Sequence, residues 1–132
     1  MEDNKNDFIL ILAGYGYEME QFLRINPGMP SRFPITLTFD DYCDTELMEI
    51  SQLMLRERQY RLSREAEQKL RQHLKTTTQE RSRNFSNARM VRNVIERAIR
   101  LHAVRLLDAP NPTREDLMTI QEQDLELGEV TA

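Results

Sequence analysis

The chain holds no tryptophan, one cysteine, two histidines, four glycines and five prolines in 132 residues, and only 7% of it is aromatic. A single thiol, Cys43, cannot close a disulfide within the chain, and neither His73 nor His102 has a second ligand at metal-binding spacing. Cys43 therefore reads as structural, and both histidines as packing or surface residues. Long apolar runs are missing too. The longest, Phe8 to Ala13, is far short of the roughly 20 residues that cross a bilayer, so no membrane partner is expected. Met1 is followed by Glu-Asp-Asn-Lys-Asn-Asp, where a secretory leader has a basic and then an apolar region, and the expected compartment is the cytoplasm.

What remains is 39% hydrophobic and 30% charged, the composition of a helical protein with room for one ordinary domain, or a small domain plus a piece of another. The net charge of −4 is spread unevenly. Arg81, Arg83, Arg89, Arg92, Arg97, Arg100 and Arg105 stand against the single Glu96. From Glu115 onward there are six acidic residues and no basic one. A basic stretch precedes an acidic tail.

In chain order, the run Phe8 to Ala13 reads as a strand buried on both faces of a parallel sheet, with a buried helical turn as the alternative. Tyr17 to Arg24 reads as a short helix stopped by Asn26-Pro27-Gly28, and Met29 to Pro34 as a loop that two prolines hold out of helical geometry. Ile35 to Phe39 alternates as a second short strand does. Beyond Tyr42 the pattern is helical. Asp44 is placed to cap a helix with Leu47, Ile50, Met54 and Leu53 inward, ending near Arg58. Ser63 is placed to cap another with Ala66, Leu70 and Leu74 inward. Thr76 to Asn84 is polar and reads as a loop. After Asp108 to Pro112 breaks the chain, Thr113 and Asp116 form the capping box of a last short helix, and the residues after Leu127 are expected to fray.

Between these lies Phe85 to Leu107, the most informative stretch. At the helical period Ala88, Val91, Val94, Ile95, Ala98, Ile99, Leu101 and Leu106 share an apolar face, opposite Arg89, Arg92, Glu96 and Arg100. Ser86 or Asn87 can cap it. Arginines at a helix start oppose the macrodipole, which favours anions there, so they are either a solvated face or a place where something negative binds.

Five motifs occur in order: ILILAGY (Ile9 to Tyr15), NPGMPSRF (Asn26 to Phe33), Phe39 to Tyr42, Tyr60 to Ser63, and NFSNARMVRNVIERA (Asn84 to Ala98). Together they resemble the C-terminal part of AAA+ ATPases, in the branch of sporulation, red-type Rubisco-activase and type VII secretion ATPases. The resemblance implies a fold that is mainly α with two short strands. Residues 1–41 would be the end of the large α/β domain with its last two strands, 42–127 the small helical lid, and 128–132 an acidic tail. It implies ATP as ligand, neighbouring AAA+ subunits in a ring, hexameric when complete, and a protein substrate to be remodelled.

The resemblance also gives the arginines roles. Arg32 matches the arginine finger that reaches the γ-phosphate on a neighbouring subunit, with local pairing to Asp40 or Asp41 as the alternative. Arg89, in Asn87-Ala88-Arg89, matches the second sensor, which reaches phosphates on its own subunit. Arg92 is a second phosphate contact or an ion-pair partner of Glu96. Ala88 permits close approach of backbone to nucleotide, or simply packs. Tyr15 falls one position from the first sensor. No GxxxxGK[ST] loop and no apolar run ending in Asp-Glu is present, so the chain is expected to begin just before the fourth strand of its parent, to lack the Mg²⁺ site and to be inactive alone. Two other readings of the chain are a nucleic-acid-binding module with Arg81 to Arg105 as its basic surface, which the acidic total and acidic tail disfavour, and a plain helical domain that oligomerises through the apolar strand Phe8 to Ala13.

Overall fold

The computed structural model describes residues 9–80 and 87–127; the acidic tail, the residues expected to fray, and Ser86 lie outside them. The chain divides into two units, Met1–Asp40 and Asp41–Ala132.

In the first unit, α1 spans Gly16–Ile25. Asn26 closes it by donating from its backbone N–H and its side-chain amide to the Phe22 carbonyl, at 3.2 and 2.7 Å. Gly28 then takes a left-handed φ of 91°, open to glycine at little cost. The segment expected to be a loop instead makes one helical turn, α2, Met29–Arg32. Pro30 sits in its first turn, where no hydrogen bond is lost, and the Phe33 N–H closes the turn on the Met29 carbonyl at 3.0 Å. Residues 9–13 and 35–39, expected as strands, carry no regular structure, and Phe39 is 89% exposed. A strand exists only through a ladder with a neighbour, and neither segment has one among the described residues.

The second unit is built from α3 (Asp44–Glu57), β1 (Arg61–Leu62), α4 (Arg64–Gln79), α5 (Asn87–Leu107), α6 (Arg114–Met118), β2 (Thr119–Ile120) and a 3₁₀ turn, Glu122–Asp124. The fold class is as expected, mainly helical with two short parallel strands, but the strands are β1 and β2, paired Arg61 to Thr119 and Leu62 to Ile120. This pair ties the α3–α4 connection to the end of the unit. Among the described residues no helix is long and apolar enough to cross a membrane.

Helix α3 packs against both α4 and α5, and the 3₁₀ turn packs against α4 and α5 as well. The core between them is Leu47, Met48 and Leu55 from α3, Ala66, Leu70 and Leu74 from α4, Val91, Ile95 and Ala98 from α5, with Ile120 and Leu125. Two neighbours require a broader and rotated stripe on α3. Leu47 is inward as expected, Ile50 and Met54 are at its border, and Leu53 is exposed. Helix α4 runs through the threonines that were expected to be a loop. Thr77 is buried, and its hydroxyl donates to the His73 carbonyl at 2.8 Å, so its polar group is satisfied inside the helix.

The ends are capped as well. Ser63 Oγ accepts from the Ala66 N–H at 3.2 Å, and Thr113 and Asp116 exchange bonds at 2.9 and 3.1 Å in the expected box. Those bonds hold Asp116 below the usual carboxylate range. Cys43, not Asp44, is the N-cap residue of α3, and its backbone N–H donates to Glu46 Oε1 at 3.0 Å, which lowers the Glu46 pKa. At the other end of α3, Tyr60 N–H reaches the Leu55 carbonyl at 2.8 Å and Gln59 N–H the Arg56 carbonyl at 3.0 Å, a Schellman closure with Gln59 at φ 65°. Left-handed geometry is costly for a residue with a Cβ, whereas glycine loses more chain entropy on folding. Gln59→Gly is therefore expected to raise stability by a net ~0.5 kcal/mol, read as a higher urea midpoint with an unchanged slope.

Near the end of α5, the guanidinium of Arg105 grips the buried carboxylate of Asp124 with two bonds of 2.9 Å. Asp124 Oδ2 also accepts from the Gln121 N–H at 2.9 Å. The bond to Asp124, against partial burial, raises the Arg105 pKa. One helical turn earlier His102 is buried, its Nε2 2.9 Å from the Asp116 carbonyl and its ring edge-on to Tyr60 at 5.5 Å. His73, by contrast, is half-buried, and desolvation lowers its pKa.

Candidate functional site

The candidate residues fall in both units. Tyr15 is the N-cap residue of α1, about half exposed, and Arg32 is the last residue of α2, exposed. Both belong to the first unit.

Ala88, Arg89 and Arg92 are brought together by the first two turns of α5 in the second unit. Positions 88 and 92, and 89 and 92, are helical neighbours, so the three form one small patch. It faces outward because Val91, Ile95, Ala98 and His102 take the buried stripe. Both arginines are exposed, and Ala88 is half-buried. The apolar face is narrower than the periodicity predicts: of its eight residues Val91, Ile95 and Ala98 are buried, while Ala88, Val94, Ile99, Leu101 and Leu106 are only partly covered. Arg92 does not pair with Glu96. Glu96 instead meets Arg58, the C-cap residue of α3, at 3.5 Å. Among the described residues neither Arg89 nor Arg92 has an ion-pair or hydrogen-bond partner, and the first turn of α5 holds no acidic residue.

Asn87, expected only as a cap, is the first residue of α5, and its side chain reaches outside its own helix. Oδ1 accepts from the Tyr42 N–H at 3.0 Å, and Nδ2 donates to Asp41 Oδ1 at 2.8 Å. No local pattern could have shown this, because the partners are 45 and 46 residues away.

Residues 43–131, almost the whole second unit, match the family model of the AAA lid domain. The chain belongs to the AAA lid-domain family. Its relatives agree with the branch that the motifs pointed to. The lid and its preceding residues are 54% identical over 130 residues to stage V sporulation protein K of Bacillus subtilis, covering 98% of this chain and 40% of that protein. Protein CbxX of Cupriavidus necator is 43% identical over 128 residues, covering 95% and 39%. The chloroplastic ribulose bisphosphate carboxylase/oxygenase activase of Cyanidioschyzon merolae is 38% identical over 127 residues, covering 95% and 43%. The chain thus spans about two fifths of the length of these relatives. In the lid, the outward patch Ala88, Arg89 and Arg92 opens the long helix α5.

Proposed function

We propose that the chain is the C-terminal portion of a protein-remodelling AAA+ ATPase of the sporulation type. Residues 1–41 are the end of its large α/β domain, 42–127 its lid and 128–132 an acidic tail. The ligand is ATP, the partners are neighbouring subunits of a ring, hexameric when complete, and the setting is the cytoplasm. The part of the ATPase that carries the P-loop supplies the Mg²⁺ site.

The observation that supports this most is the pair of exposed arginines at the start of α5, in a lid-family domain, without an anionic partner among the described residues. Guanidinium at the positive end of a helix is unfavourable until an anion arrives. Phosphate oxygens match its planar fork, and it stays charged at every relevant pH, so the residues present fit a triphosphate. Arg89 binds the phosphates held by its own subunit, with Arg92 one turn on as the second contact. Ala88 leaves space for close approach, and the Tyr15 hydroxyl hydrogen-bonds water or phosphate. Arg32 serves the neighbouring subunit's nucleotide.

A chimera in which this chain replaces the matching residues of stage V sporulation protein K makes the proposal testable. Arg89→Ala is expected to weaken ATP binding about tenfold in titration calorimetry, the loss of one charged hydrogen bond, and ADP binding much less. Equal ATP affinity of the two proteins would remove Arg89 from the site. Tight oligonucleotide binding by the chain, with a steep salt dependence, would instead favour the nucleic-acid reading.

A further inference from the structure

We propose that Asn87 is a positioning residue for the phosphate-facing arginines, holding the start of α5 against the segment by which the chain enters the lid; this rests on the reading of Arg89 above. Asn87 lies two residues before Arg89, at the helix end whose first four N–H groups have no intrahelical partner. An asparagine at a helix start ordinarily bonds its own first-turn amides. Here both ends of the amide are committed to Asp41 and Tyr42, the first two residues of the second unit. The bond to Asp41 is charge-assisted.

The next residue is fixed from another side. Cys43 N–H is held by Glu46 in the first turn of α3, so consecutive amides at 42 and 43 are tied to the starts of α5 and α3 respectively. These two helices also pack against each other. The staple therefore ties the otherwise frayable first turn of α5 to a well-anchored neighbour. Arg89 projects from that turn, and a long side chain carries any looseness of its backbone out to the guanidinium. Displacements of about 1 Å at a catalytic contact cost up to 10²-fold in rate.

Asparagine is needed because the site asks for an acceptor facing Tyr42 N–H and a donor facing Asp41 at once. Leucine has the shape without either group. Aspartate keeps the acceptor but sets a second carboxylate against Asp41. The paired exchange Asp41→Asn/Asn87→Asp reverses the polarity of one bond and restores both.

The test is ATP hydrolysis by the chimera described above, at a temperature where every variant is folded by circular dichroism. Asn87→Leu and Asn87→Asp are each expected to lower kcat about tenfold. The paired exchange should return it to within about twofold of the parent. In the 132-residue chain, amide exchange at Tyr42 should speed up with Asn87→Leu and slow again in the paired exchange. A residue with a merely structural role would lower the melting temperature and leave kcat unchanged. Unchanged kcat in the Asn87 variants, or no recovery in the paired exchange, overturns the inference while Arg89→Ala still impairs the enzyme. If Arg89→Ala is itself without effect on ATP binding and hydrolysis, the sensor reading falls, and the positioning role with it.

Discussion

Arg32→Ala in the chimeric ATPase is expected to lower kcat about 10³-fold while ATP affinity stays within about threefold, because an arginine finger acts on charge that develops in the transition state. Arg32 ends α2 and is exposed, on a backbone turn that is well constrained. Pro30 sits in its first turn, Ser31 Oγ donates to the Gly28 carbonyl at 2.8 Å, and the Phe33 N–H closes on the Met29 carbonyl at 3.0 Å. Pro34 follows directly. A turn held in this way keeps the guanidinium base in place, which lowers the entropy lost when the side chain docks on a phosphate. Arg32→Lys should recover little, since an ammonium cannot present two parallel donors. Steady-state hydrolysis and ATP titration, measured side by side, separate the rate effect from binding. A tenfold or larger loss of ATP affinity in Arg32→Ala, with kcat preserved, would make Arg32 a binding residue.

The second large effect is on stability. Leu70→Ala should destabilise the lid by about 2–5 kcal/mol, the range found when a buried leucine is cut to its Cβ. Leu70 is 1% exposed in the middle of α4, between Ala66 and Leu74 on the same face. Its neighbours come from several elements, so they cannot all close onto the space left. Small domains are stable by about 5–15 kcal/mol, which makes this a large fraction of the margin. Leu53→Ala supplies the contrast. The leucine pattern of α3 assigned Leu53 inward, yet it is 51% exposed, and its removal should change stability by no more than about 0.5 kcal/mol. Urea unfolding of the two variants reads both values. Equal losses would mean that α3 is rotated relative to its position here.

These contrasts show what kind of information local sequence carries. The stop at Asn26-Pro27-Gly28, the Ser63 cap and the Thr113–Asp116 box depend on residues a few positions apart, and each was legible. The buried stripe of α4 was legible too, because Ala66, Leu70 and Leu74 recur every fourth position and so share one helical face. The face of α3 was less so, since Met48 and the small polar Ser51 are buried where the apolar spacing pointed to Ile50 and Leu53. Strand location failed for a related reason. The residues at 9–13 and 35–39 have strand composition, but pairing fell to Arg61–Leu62 with Thr119–Ile120, segments too short to show any period. The Arg105–Asp124 grip and the Asn87 staple join residues distant in sequence, and nothing in the spacing announces either. At the candidate site, the outward direction of Arg89 and Arg92 follows from helical period alone. That Arg92 has no ion-pair partner among the described residues does not, because Glu96, its neighbour one turn on, meets Arg58 instead.

The proposed place of Arg32 is a nucleotide site shared between neighbouring subunits of a ring. Subunit mixing tests that placement. One chimera carries Arg32→Ala with an intact phosphate-binding loop, and the other keeps Arg32 but has that loop inactivated. Each alone should hydrolyse ATP at background rate. Mixed, they should regain a substantial part of the parent activity, because Arg32 of one subunit completes the site of the next. Mixed rings that form but stay at background would remove Arg32 from the neighbour's site.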